Sequence, residues 1–407
     1  SGGSSRPPEG GTTNKRWPCL AVSVVLAAAF SAAGQSVTLE SGKHERQSAI
    51  VQFPVDVAAG EYVLKVPDQP AIQVTVDTTK TATLRVTMPA GATWTGKLGP
   101  APGVAGAMVG GQRKGDVVTF VVGGKQALTY QGEKSPLPEG YKPEFQRGGY
   151  IHSVMTPGGV LVTDDYPPNH RHHHGVWSPW TKTEFEGRHP DFWNMGDGTG
   201  GVEFVAIDSA WSGIASAGVV ARHRFVDLSA KPEPKYPLNE TWTVRAYPQV
   251  KAGQAVNMFD VSLVQTCATE SPLKLPKYLY GGMGLRGNRA WDGAANLKVL
   301  TSEGKERAAA NESRAKWFRA SGLVDGKTAS IVVLCHPTNF RFPQPLRVHP
   351  TEPFICWAPP QMGDFEITKE TPYKAQYRYI VADGELPAEA IERLWVDYAE
   401  PVTTAVK

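Results

Sequence analysis

The sequence has no large excess of charge: 42 Lys and Arg stand against 39 Asp and Glu, a net of +3. That argues against a nucleic-acid partner or an anionic membrane surface, both of which call for a strongly basic face. Cysteine is scarce, four in 407 residues, and no C-x-x-C pair occurs. A zinc or redox site built on sulfur is therefore not expected. P-loop and dinucleotide fingerprints are absent, as is any fixed-period repeat. Past residue 34 no apolar run is long enough to span a bilayer. Helical periodicity is nearly missing too. Gly (42), Pro (33) and Trp (11) are plentiful, which suits a turn-rich β protein with aromatic surfaces.

The first 34 residues read as an export signal behind an extended leader. Lys15 and Arg16 precede the apolar stretch 19–33, and small residues follow from Ser31 to Gly34. The stretch falls short of the roughly 20 residues of a membrane span. A secreted or periplasmic protein is the expectation. Cys19 would leave with the signal. Cys267, Cys335 and Cys356 remain, and the last two lie in apolar runs as core residues do.

Residues 36–105 read as a small β-sandwich domain. YVLKV (62–66), IQVTV (72–76) and ATLRVTM (82–88) alternate apolar and polar positions, the period of a half-buried strand. Gly- and Pro-rich residues 98–111 look like a linker. A larger unit follows over 112–400. Its strands include 116–122, 126–130, 159–165, 219–226, 241–247, 256–265 and 373–381, with a hairpin turning at Asp325-Gly326. One helix is expected at about 387–398, where Ile391, Leu394, Trp395 and Tyr398 recur on one face behind Pro387. The fold class is all-β: a large antiparallel sandwich with one C-terminal helix.

Histidine carries the chemistry. Four of the ten histidines fall in NHRHHHG (169–175): His170, His172, His173 and His174. Imidazole titrates near neutral pH and ligates metals. In an extended segment His170 and His172 would point one way and His173 the other. His170, His172 and His173 are the candidate catalytic centre, either as general acid and base or around a divalent metal. The next segment, 177–201, places Trp177, Trp180, Phe192 and Trp193 among carboxylates, Asn and Arg. Aromatic faces beside such groups are the usual surface for a sugar. Asp191 and Glu203 are candidate partner carboxylates, with Glu184 and Glu186 beside them, and Trp193 a candidate platform. Arg286, within YGGMGLRG (280–287), offers a planar fork. His336 and Asn339 come from HPTNFRFPQP (336–345) as further candidate binding residues.

These segments, taken with RGGYIHSVMTPGGVLVTDDYP (147–167), DFWNMGDG (191–198) and YRYIVADG (377–384), resemble a bacterial family labelled "methane oxygenase PmoA-like". The resemblance covers about 112–400. In the family pattern D-H-x-H-H-R-G, His170, His172, His173 and Gly175 match, whereas Asn169 replaces the acid and His174 the arginine. A methane monooxygenase subunit needs several spanning helices, which this sequence lacks. The resemblance implies instead an exported protein with a supersandwich like that of galactose mutarotases. The function expected is that of a glycoside hydrolase or related sugar lyase. A mutarotase or epimerase, and a non-catalytic glycan-binding protein, are the alternatives.

Overall fold

Alternating strands need a second layer to bury their apolar faces, and the computed structural model supplies it with antiparallel sheets. The structure describes residues 34–101 and 108–407. The expected export signal lies outside them. An eight-stranded sheet runs in the order Leu346–Val348, Phe354–Trp357, Gly284–Arg286, Val176–Trp177, Tyr150–Val154, Lys125–Gln131, Val117–Val122 and Val109–Lys114. Facing it is a nine-stranded sheet in the order Gly200–Trp211, Ala217–Asp227, Leu238–Ala246, Ala255–Cys267, Tyr373–Asp383, Lys327–Cys335, Trp317–Val324 and Lys298–Thr301, with the short Val250–Lys251 pairing beside Ala255–Cys267. One continuous core joins them. Phe120, Ile151 and Val176 of the first sheet share it with Val219, Phe259 and Tyr377 of the second. The protein is all-β, with its long helix at the C-terminal end.

The turn chemistry worked as the residues demand. Asp325 (φ 49°) and Gly326 (φ 75°) both take the left-handed conformation, and the strands on either side pair from Val324 with Lys327 back to Trp317 with Leu334. The helix spans Ala388–Ala399. Ile391, Leu394 and Tyr398 pack on the outer face of the nine-stranded sheet against Met258, Val332 and Ile380. Where the helix covers them, the central strands of that sheet are buried on both faces. The polar exception beneath the helix is a paired one: Arg378 donates Nε to Asp260 Oδ1 (2.7 Å) and Nη2 to Oδ2 (2.9 Å). Tyr247 adds its hydroxyl to the same carboxylate.

Residues 36–100 form a third sheet, and its last strand comes from the other end of the chain: Thr403–Val406 pairs antiparallel with Ser36–Glu40. Arg46 reaches Asp397 of the helix in a buried ion pair of 3.0 Å. Gln35–Lys407 is one compact unit. Two expectations are corrected here. The linker-like stretch 98–111 begins and ends in strands, Thr93–Pro100 and Val109–Lys114, with 102–107 outside the described residues. Residues 159–165 form no strand. They make single bridges at Met155–Leu161 and Thr163–Gly287, because the side chains of Thr163, Asp164 and Asp165 are taken up by His152, Arg289 and His174. Cys267, Cys335 and Cys356 are free and buried.

Candidate functional site

Asn169–Gly175 is not extended. The amide of His170 donates to Pro167 O (3.0 Å) and that of His173 to His170 O (2.8 Å), so two tight turns follow Pro167 and Pro168. A turn brings residues i and i+3 together. His170 and His173 accordingly stack, with ring centroids 4.7 Å apart and planes 27° apart. His172 stands edge-on to both, at 5.6 and 4.7 Å. This replaces the expectation that His173 would point away from His170.

The eight-stranded sheet brings the rest of the site to this loop. Its adjacent strands Val176–Trp177, Gly284–Arg286, Phe354–Trp357 and Leu346–Val348 lie side by side. They carry in turn the histidine loop, Arg286, the Glu352–Phe354 approach and His349. His349 approaches His170 at 5.9 Å between ring centroids, and Phe354 packs on His173 at 4.7 Å. Glu352 Oε2 lies 2.6 Å from His170 Nδ1, close but outside hydrogen-bond alignment. The same oxygen accepts from Arg286 Nη1 at 2.8 Å. Arg286 is fully buried, and its Nη2 is shared between Asn169 Oδ1 and Asp292 Oδ1, each at 3.1 Å. His170 keeps about a third of its side chain in solvent (31%). Its Nδ1 is buried towards Glu352, so the accessible edge is the Nε2 side.

Behind this rim the ring nitrogens are buried. His174 lies between Tyr150 and Tyr166, with centroids at 4.5 and 4.8 Å. Its Nδ1 faces Asp165 Oδ1 at 2.6 Å, and Tyr150 donates its hydroxyl to Oδ2 at 2.8 Å. The carboxylate therefore fixes the tautomer: the His174 proton is on Nδ1. His173 Nδ1, His174 Nε2 and Trp177 Nε1 are buried with no partner. The three atoms cluster around Trp177, which packs on both rings.

Burial holds these imidazoles neutral. His172 is pushed down to about 3 by burial and by neighbouring imidazoles. His173 and His174 are lowered by burial as well, the latter against the pull of Asp165. His170 is lowered by burial, opposed by Glu352 and reinforced by Arg286. His349 follows the same pattern. Neutral imidazole is also the state that a metal needs. However, among the described residues no three His, Cys, Asp or Glu side chains are disposed to hold one ion. The stacked His170–His173 pair and the turn of His170 Nδ1 towards Glu352 give the geometric reason. The donors as placed do not fit a divalent cation.

The other candidates divide. Arg286 is at the site, but as a buried anchor of Glu352 rather than an exposed fork. Trp193 is also close to His173 (6.1 Å), yet it is 2% exposed among Trp177, Tyr280 and Phe354, so its faces are covered. Asp191 is committed to its own loop. Its Oδ1 accepts the amides of Trp193 and Asn194, and its Oδ2 accepts the Asn194 side chain. Glu203 pairs with Arg224 at 2.8 Å on a surface strand and touches none of the imidazoles. Glu184 and Glu186 likewise pair with lysines at the surface. His336 lies elsewhere, edge-on to Tyr398 beneath the helix, and Asn339 is spent on the Gln376 backbone. Glu352 and Asp165 were missed. The only local hint of Glu352 is its position three residues after His349. Asp165 has none, since its partnership with His174 depends on the turn between them.

Among curated proteins no match is found. A family model covers residues 117–396, which hold every residue of this site. The chain belongs to that family, a family of unknown function designated DUF6807.

Proposed function

We propose that this chain is an exported carbohydrate-active enzyme, a glycoside hydrolase or sugar lyase, with His170 as its general base. The observation that carries the reading is the His170–Glu352–Arg286 line. An imidazole is backed at Nδ1 by a carboxylate, the carboxylate is anchored by a buried guanidinium, and the opposite imidazole edge meets solvent. Such a line places a negative charge beside the imidazolium that forms when the base takes a proton, and so stabilises it. The proton comes from a water, a sugar hydroxyl or a sugar C–H held at Nε2. His172 and His349 stand edge-on beside the His170 ring as neutral imidazoles and offer hydrogen bonds to hydroxyls.

Carbohydrate is favoured over other hydroxyl-bearing substrates by the setting. The rim is built from imidazole, amide and aromatic groups, including Phe145 near His172 and Tyr141 under Arg171. The two-sheet sandwich is also an architecture that sugar-active enzymes, mutarotases among them, use widely. The test is a panel of neutral and acidic polysaccharides and chromogenic glycosides incubated with the purified chain. Release of reducing ends or unsaturated products that disappears in His170→Ala supports the reading. Turnover that survives in His170→Ala contradicts it.

A further inference from the structure

Beside the histidine rim lies a separate polar hollow of about 330 Å³, lined by Thr181, Lys182, His189, Asp191, Asn194 and Tyr278 among others. It is tied to the imidazoles by a file of aromatic contacts. His173 meets Trp193 at 6.1 Å, Trp193 meets Tyr280 at 5.1 Å, and Tyr280 meets Tyr278 at 5.0 Å. The hollow is therefore several rings removed from His170, and it would hold a unit of a chain-like ligand other than the reacting one.

Its polar groups are divided in a telling way. Asp191, the only carboxylate in the lining, is already saturated by backbone amides and by Asn194 and Thr181. It holds the loop in shape and has little left to offer a ligand. Lys182 is different. Its ammonium lies 5.6 Å over the Tyr278 ring and forms no ion pair with any carboxylate among the described residues. His189 donates Nδ1–H to Thr183 O at 3.0 Å, which leaves Nε2 unengaged. The hollow thus offers an unpaired cation, a free imidazole nitrogen and an aromatic face. A hydroxylated ring with a carboxylate meets all three: the carboxylate draws Lys182 off the Tyr278 ring and pairs with it, the sugar ring takes its place against Tyr278, and a hydroxyl donates to His189. A neighbouring hollow on the Tyr278 flank adds Lys277, also without an ion-pair partner among the described residues, and Glu312.

We infer that this hollow binds an acidic sugar unit, a uronate residue, of the same glycan that the histidine rim acts upon. The inference rests on the proposed function for the identity of the polymer, but its test does not rest on turnover. Calorimetric titration of the full chain with a galacturonate trisaccharide and with the neutral galactose trisaccharide reads binding directly. The acidic ligand is expected to bind about ten-fold more tightly, with a preference that shrinks as salt rises. Lys182→Ala, an exposed position that leaves the core untouched, should weaken the acidic ligand about five-fold and leave the neutral one unchanged. Tyr278→Ala should weaken both.

Equal affinity for the two ligands, no binding of either, or an acidic preference that survives in Lys182→Ala overturns the inference. The two readings fail separately. If His170→Ala still binds the uronate trisaccharide with wild-type selectivity while the wild type turns over no glycan, the subsite stands and the enzymatic reading falls. If a neutral glycan is cleaved and Lys182→Ala changes nothing, the reverse holds.

Discussion

Glu352 Oε2 lies between two nitrogens of opposite character, 2.6 Å from His170 Nδ1 and 2.8 Å from Arg286 Nη1. The arginine holds the carboxylate in place, and the carboxylate decides which edge of His170 is left for a substrate. Burial and Arg286 push the His170 pKa down, and Glu352 pushes it up.

The sign of a pH effect follows. The base form of His170 is required, so the rate should rise with pH along an acid limb lying below the ordinary imidazole value of 6.5. Glu352→Gln removes an interaction that raises this pKa, so the limb should move to lower pH. The plateau should fall by about 10²-fold or more as the imidazolium loses its neighbouring negative charge. A pH–rate profile of the variant checks both parts. A limb that shifts upward contradicts the assignment.

Stability should also depend on pH. His172, His173 and His174 all have folded pKa values depressed by burial below 6.5. Unfolded, each takes up a proton as pH drops through 6.5, whereas in the folded chain they stay neutral. Their contribution is therefore present above that value and lost towards acid. Three such protons give a slope of up to about 4 kcal/mol per pH unit between the unfolded and folded pKa values. Urea unfolding at pH 7.5, 6 and 5 should show a midpoint that falls in that order, and replacing His173 with Phe should flatten the fall.

Trp193→Ala should act on folding before it acts on binding. The ring is buried among Trp177, Tyr280 and Phe354, and its removal leaves a void costing about 3–5 kcal/mol. Thermal unfolding distinguishes this from an exposed platform, whose loss would weaken ligand binding and leave the melting temperature unchanged.

Asp260→Asn should be among the most damaging single changes remote from the site. It strips Arg378 of a buried, two-pronged partner beneath the C-terminal helix. Breaking such a pair costs about 3–5 kcal/mol. Chemical denaturation measures the loss, and replacing both residues with apolar ones should recover much of it.

The fold was legible wherever period and turn chemistry act locally. The hairpin at Asp325-Gly326 and the helix on Ile391, Leu394 and Tyr398 needed only residues near each other in the chain. The bridge-only stretch 159–165 was not legible, because it is governed by side-chain partners more than a strand away. Nor was the strand Thr403–Val406, whose partner is Ser36–Glu40 at the opposite end. The site divides in the same way. The histidine cluster was visible as a cluster, but its turned shape depends on Pro167 and His170 carbonyls accepting from residues three further on. Glu352 was invisible because it enters from the bend between Leu346–Val348 and Phe354–Trp357, far along the chain from the histidines. Asp191 and Glu203 were attractive as acids in the sequence. They turn out to be occupied by a loop's own amides and by Arg224, which only the fold can reveal.

The central claim is that His170 is the base. Its most direct test is single-turnover cleavage of the best glycan by wild type and by His170→Ala, with melting temperatures measured alongside. The account predicts a loss of about 10²–10⁴-fold in rate at an unchanged melting temperature. A variant that folds normally and cleaves within a few-fold of wild type would contradict it.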